Sequence, residues 1–518
     1  MLKRTVAVIC IMLSLAAALP ALPGSSSYSI PPVVPRDTVE SSPRVENGPA
    51  EYDRRRLIAG HVLRRIGFGP NPAEMNAILS MGTAGYIGMQ LNPASINDSA
   101  AEHRLPPRPS DPYDYDRWMK RWFLRMVYSR RQLREKMTLI WHEHFAASLE
   151  KVGLGCQMAQ QEEFLRANSL GSFRDLLVGI TRDKAMLTYL DNNYNNGQAY
   201  DDRGKLIPPN ENYAREFLQL FSMGPAKLKM DGTLVTNSKR EPAPSYSERD
   251  VREIARAFTG WYHDYKCQQK PQFDPVMHDP NDKKVLGAVI QGRPGREGTK
   301  DVEAVVDIVM RNPNVAPFIS KILIQKLATE TPTPGYVQRV ATVFANTQGN
   351  IRATVSAILN DPEFYSDAVI LSQYKEPVEQ FVGALRALEA DTKGGDLIGW
   401  FYSAGQLPYF PPSVFSFYPP GQKDTLINAA LLINRDRVAD GIVYNAYETS
   451  IDPQALIRKH NLKTPEQVVD YLSDALISGP FQPEVRKKVI QYMKGRVDDE
   501  KFRGAAWLIL CSPDFQRN

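Results

Sequence analysis

Residues 210–224 read Asn-Glu-Asn-Tyr-Ala-Arg-Glu-Phe-Leu-Gln-Leu-Phe-Ser-Met-Gly. Tyr213, Phe217, Leu220 and Phe221 recur at helical spacing, so the stretch predicts a helix with one apolar face. Pro208 and Pro209 place its start near Asn210, and Gly224 supplies a C-terminal stop. At about 100° per residue Glu211 and Arg215 lie together on the opposite side, while Asn212 and Glu216 form a second i, i+4 pair on the flank. Many surface helices share such a projection. What marks this one is the density of Asn, Glu, Tyr and Arg within one turn and a half, directly after a polar loop.

The same period governs most of the chain. Arg54–Ile66 presents Ile58, Val62, Leu63 and Ile66 on one face, and Asn71–Met81 follows with Pro72 at a favourable first position. Residues 92–112, with five prolines, read as loop. Tyr115–Leu149 reads as two helices broken near Ser129, then come Gln157–Asn168 and Ser172–Thr181, with Ser172 as N-cap. Residues 225–246 form a polar insertion. Ser247–Gly260 is a strongly marked helix, capped by Ser247 with Asp250 in a variant capping box, stopped by Gly260, and carrying Arg252 and Arg256 off the core face. Residues 263–300 lack helical period, with a short strand in Lys284–Gln291, and from Asp301 onward the pattern is again helical. Asp361-Pro362-Glu363-Phe364 and Ser512-Pro513-Asp514-Phe515 each follow an apolar helix end. The predicted fold is mainly α: one large multi-helix domain over 51–518, with long irregular loops, at most a short β element, and a division into two lobes near 265–300.

Met1–Gly24 has the form of a secretory signal peptide: Lys3 and Arg4, then a short apolar run over Thr5–Ala18, then small residues and prolines. The run is shorter than the roughly 20 apolar residues a membrane span needs. Cys10 lies inside it, not at its end, so no lipidation site is read. Residues 25–50, rich in Ser, Pro and Val, read as a linker or extended arm. The expected destination is the periplasm or the exterior of the cell, with no transmembrane span once the leader is removed. Cys156, Cys267 and Cys511 then remain; one disulfide can form among them, the pair is open, and no Cys-x-x-Cys spacing is present. The net charge of +5 falls to +3 without Lys3 and Arg4. That excess is small and scattered, and no basic run interleaves with aromatics, so nucleic acid is not an expected partner.

Several polar groups are candidates for a site. Trp141-His142-Glu143-His144-Phe145 carries two histidines at i and i+2, which point about 200° apart on a helix and cannot share a metal there. His144 falls on the apolar stripe of Leu133, Met137 and Ile140 and reads as a core histidine, leaving His142 as the freer one. Asp191-Asn192-Asn193-Tyr194-Asn195-Asn196-Gly197 is a polar loop, either a ligand site or a plain turn. Trp261 follows the 247–260 helix, and His278 precedes Asp279 in an irregular segment.

Taken together these motifs resemble a bacterial family catalogued as domain of unknown function 1800. The matching pieces are His61-x-x-Arg64-Arg65-x-Gly67-Phe68-Gly69, Lys136-Met137-Thr138 leading into the His142 segment, Leu190-Asp191-Asn192, the Asn210–Phe221 helix, Asp250 through Trp261, Lys375-Glu376-Pro377-Val378-Glu379, and Pro411-Pro412-Ser413-Val414. The family continues with a Gly-Trp pair where this chain has Ser416-Phe417. The resemblance implies a large, mainly helical, exported bacterial protein and brings no activity with it.

Two readings of function stand level. In the first, the helices near 133, 210 and 247 pack side by side and bring His142, Glu211, Arg215, Glu216 and Arg256 together as catalytic groups. Asp191, Asn192, Asn210, Tyr213, Asp250, Trp261 and His278 bind the ligand. Such a Glu/His/Arg cleft suits hydrolysis or elimination on an envelope or extracellular polysaccharide, with or without a divalent metal. No zinc-peptidase or serine-hydrolase signature occurs. In the second reading the protein binds or assembles envelope components, and Glu211–Arg215 and Asp250–Arg256 are structural ion pairs.

Overall fold

The computed structural model describes residues 53–418 and 423–518. The predicted leader (1–24) and arm (25–50), together with residues 419–422, lie outside the described residues. The predicted class holds: the chain is mainly α, with only three two-stranded antiparallel pairings among the described residues. These join Trp261–Tyr262 to Gln272–Phe273, Lys283–Val285 to Ala288–Ile290, and Asp391–Thr392 to Thr449–Ser450. The second overlaps the predicted 284–291 strand, which instead folds back on itself through Leu286 and Gly287, both at positive φ. No helix among the described residues is long and apolar enough to cross a membrane.

The first helix, Arg54–Ile66, explains the His-x-x-Arg-Arg pattern. His61, Arg64 and Arg65 are all buried, alongside Val62, Leu63 and Ile66. A buried guanidinium must be hydrogen-bonded to be tolerated. Arg64 donates to the carbonyls of Ile477 and Ser478 at 2.7 and 3.3 Å, and Arg65 to the Asn518 carbonyl at 3.0 Å and to the Gln373 side chain. His61 Nε2 lies 3.0 Å from the Phe364 carbonyl. The motif is therefore a staple between the start of the helical body and its last helices, Pro465–Leu476, Pro483–Met493 and Asp499–Leu510. The Gly67-Phe68-Gly69 turn that follows crosses the helix Pro377–Ala387 at Gly383. A Cβ on Gly383 would meet the Phe68 carbonyl oxygen at 2.4 Å, so only glycine allows the crossing.

Local signals worked where they had a mechanism. Asn71 caps Pro72–Met81, Ser172 caps Phe173–Thr181, and Ser247 and Asp250 make the reciprocal capping box of Glu248–Ala257. The long predicted helix breaks at Ser129 into Tyr115–Tyr128 and Gln132–His144. Residues 92–112 are a correction: this Pro-rich stretch contains a 3-10 turn, Pro93–Ser95, and a short helix, Ser99–His103. Asp98 organises the turn by accepting the Ser129 hydroxyl and the Arg130 N–H, each at 2.7 Å, a contact made by residues about thirty positions on. Residues 225–246 fold as an irregular hairpin, with bridges pairing Ala226 with Pro244 and Leu228 with Leu234. Cys156 and Cys267 form the disulfide, and Cys511 is free.

Candidate functional site

The 210–224 stretch is helical, with two departures from its pattern. Asn195 brackets Asn210 by accepting its N–H at 2.8 Å and donating to its carbonyl at 3.0 Å, and the Asn210 side chain accepts the Asn212 N–H. The helix therefore starts at Asn212, not Asn210. It runs as α to Glu216 and widens into a π-helix over Phe217–Ser222. Gly224, at φ 76°, ends it as predicted. Tyr213, Phe217 and Phe221 face the core against Phe258 and Phe145.

The predicted cleft does not assemble. No hydrogen bond or ion pair links His142 to Glu211 or to Arg256 among the described residues. Arg215 pairs with Glu211 at 3.2 Å and with Glu248 at 2.9 and 2.8 Å, in a half-exposed cluster. The predicted Asn212–Glu216 pair is absent: Asn212 donates to Asp191 at 3.3 Å, and Glu216 is half-buried, its pKa raised by burial. Asp191 pairs with Lys151 at 2.7 Å, and Asn192 is buried with its amide on the Phe258 carbonyl. Tyr213 gives its hydroxyl to Thr181 at 2.9 Å in the core, where burial raises the phenol further from any role as a base. The Asp250–Arg256 pair is also corrected. Asp250 is consumed by its own capping box and by the Leu286 N–H at 2.7 Å, while Arg256 grips Asp279 at 2.7 and 3.2 Å and Glu253 at 2.8 Å. His278 is buried between Thr259 and Asp301, and Trp261 lies under the Arg182 guanidinium, 4.7 Å from its ring centre. Among the described residues no three His, Cys, Asp or Glu side chains are placed to share a metal ion.

The two histidines of the pentapeptide exchange roles. His142 is the core residue: its Nε2 accepts the Tyr409 N–H at 3.2 Å, Trp122 packs edge-on at 5.1 Å, and burial pushes its pKa down to about 3. His144 lines a groove, donating from Nε2 to the Phe221 carbonyl at 2.9 Å, and burial lowers it to about 4. A histidine with a depressed pKa in the fold stabilises the protein fully above its unfolded value near 6.5, and that contribution drains away as pH falls toward the folded pKa. Acid unfolding is thus expected to begin below about pH 6.5. His142→Gln, which keeps an acceptor for Tyr409, is expected to flatten it by up to about 1.4 kcal/mol per pH unit. Chemical denaturation at stepped pH measures this; an unchanged slope would sink it.

The groove holds about 480 Å³ and is walled by Ile140, Leu220, Phe318, Ile322 and Val414, with Phe415 at its rim. One corner is charged. Lys326 lies 2.7 Å from Glu143 and 3.3 Å from Glu376, and the Gln406 amide bridges the same two carboxylates at 2.8 and 2.7 Å. Burial, then the Glu376 charge, raises the pKa of Glu143, while the two carboxylates raise that of Lys326 against its own burial. Nearby Lys136 pairs with Glu379, so the Lys136-Met137-Thr138 and Lys375–Glu379 segments meet here. Sequence reasoning quoted Glu143 and Glu376 without assigning them a role and missed Lys326 and Gln406. Their partners lie 183 and 263 positions away, beyond any local period. A larger hollow of about 790 Å³ lies beside Arg174 and Asp307, but these two neutralise each other at 2.6 Å and none of the predicted residues lines it.

A family model described as a protein of unknown function, DUF1800, matches residues 61–517. The chain belongs to the DUF1800 family. No curated protein and no solved structure matches it. In this DUF1800 chain the family-like motifs include the Arg64–Arg65 staple, Asp250 of the capping box and the two halves of the charged corner beside the groove.

Proposed function

We propose that this DUF1800 protein is an exported component of the bacterial envelope that binds an extended apolar segment of a partner without converting it. The groove carries the reading. Its walls are apolar, and the acidic and basic groups at its corner are already committed to one another. His144 is held neutral and weakly basic there. Export is supported by the leader-like first 24 residues and by the Cys156–Cys267 disulfide, a bond that persists in oxidising compartments. The protein is expected to bind the apolar probe N-phenyl-1-naphthylamine, and Ile322→Glu, which puts an unpaired charge in the wall, to bind it about 10-fold more weakly. Equal binding by both would remove the groove from the argument.

One observation favours the competing enzyme reading: Glu143 and Glu376 are paired carboxylates at the edge of the same groove. Release of reducing sugar from an envelope polysaccharide by the wild type, lost in Glu143→Gln, would replace binding with turnover.

A further inference from the structure

The polar loop at 191–197 and the segment after the helix Glu248–Ala257 bring three tyrosines together at the surface. Tyr194 and Tyr262 have ring centres 5.2 Å apart and planes tilted by 32°. Tyr194 gives its hydroxyl to Asp264 at 3.4 Å, Tyr262 to Gln272 at 2.7 Å, and Tyr265 packs edge-on to His263 at 4.8 Å. Tyr194 and Tyr265 are 49% and 52% exposed.

Two features separate this cluster from a chance surface. Tyr194 and Tyr265 both adopt left-handed backbone, at φ 59° and 54°, a conformation that bulky side chains rarely take. Strain of that kind persists only where the surroundings enforce it. They do so here. The Lys184 ammonium donates to the carbonyls of Lys266, Cys267 and Gln269 at 3.0, 2.9 and 2.9 Å, and Cys267 is bonded to Cys156. The His263 N–H donates to the Asn193 side chain at 2.9 Å, and the Tyr194 N–H to the Trp261 carbonyl at 3.2 Å. The rings are thus preorganised, and little ordering remains to be done on binding.

We propose that Tyr194, Tyr262 and Tyr265 form a saccharide platform that takes uncharged pyranose rings on its aromatic faces, with Asp264 at the rim accepting a sugar hydroxyl. Aromatic faces with hydroxyls and a carboxylate at their edges match a ligand whose C–H faces alternate with hydroxyl edges. Two half-exposed rings and the more covered Tyr262 offer at most on the order of 300 Å², well below the roughly 800 Å² per partner of a stable protein interface. A carboxylate at the rim opposes an anionic lipid surface. The platform shares no residue with the groove.

Affinity electrophoresis of the full chain through gels containing dextran, galactomannan, arabinoxylan or mixed-linkage β-glucan tests this. At least one polymer is expected to retard the protein, and Tyr194→Ala/Tyr265→Ala to weaken retardation about 10-fold, with Tyr262→Trp retaining it. Tyr194→Gly/Tyr265→Gly relieves the backbone strain, so it is expected to unfold at no lower temperature while losing retardation equally. Retardation by none of the four, or retardation unchanged in both double variants, overturns the assignment. So does sedimentation with anionic phosphatidylglycerol vesicles that these variants abolish. Naphthylamine binding is expected to be unaffected in every platform variant, so groove and platform can fail separately.

Discussion

Lys326→Met is expected to lower the unfolding free energy by about 3–5 kcal/mol, the range for breaking a buried ion pair from one side. The side chains of Lys326, Glu143 and Glu376 are 13%, 4% and 5% exposed, so water cannot replace the lost ammonium. Gln406 still bridges the two carboxylates, but their shared cation is gone. The deficit should depend on pH in a defined direction. A carboxyl whose folded pKa is raised above its unfolded value favours the fold at low pH, and loses that favour as pH rises through the folded pKa. Burial already raises Glu143, and removing Lys326 pushes it further. The gap between variant and wild type is therefore expected to narrow from pH 7 toward pH 4.5, and Lys326→Met/Glu143→Gln to recover part of it at pH 7. Urea denaturation of the three proteins decides it. A single variant within about 0.5 kcal/mol of wild type would mean that the corner is hydrated.

Removing the Cys156–Cys267 bond, by Cys156→Ser/Cys267→Ser, is expected to cost about 2–4 kcal/mol. The bond closes a loop of 111 residues, for which the chain-entropy limit is close to 4.7 kcal/mol. Lys184 and Gln160 still hold the carbonyls around Cys267, so the local geometry should survive in the native state. Stability should thus fall while retardation by polysaccharide falls less. Loss of binding with stability intact would assign the bond to the platform and not to the unfolded chain.

What could be read from the residues follows the range of the forces involved. Ser247 and Asp250 act within one turn, and so do Asn71 and Pro72; their helices begin where the sequence places them. Glu211–Arg215 is likewise an i, i+4 pair and forms. The histidine assignment failed for a different reason. The period predicts Leu133, Met137, Ile140 and His144 as the one buried face of Gln132–His144, yet that helix is enclosed on nearly every side, with only Arg134 and His144 less than fully buried. A helix packed all round has no exposed face for His142 to occupy. The π-turn at Phe217–Ser222 left no trace in the apolar period, and the Lys326 corner depends on partners 50 and 183 residues away.

The Arg64 and Arg65 staple sets an order of events. Two guanidinium groups near the beginning of the helical body donate to Val369, Gln373, Ile477, Ser478 and Asn518, all far along the chain. None of these bonds can form until those residues are present. Vectorial synthesis therefore makes these bonds available only after more than 300 further residues have been added. Docking of the first helix onto the last ones is thus a long-range step, of the kind that sets the pace of folding.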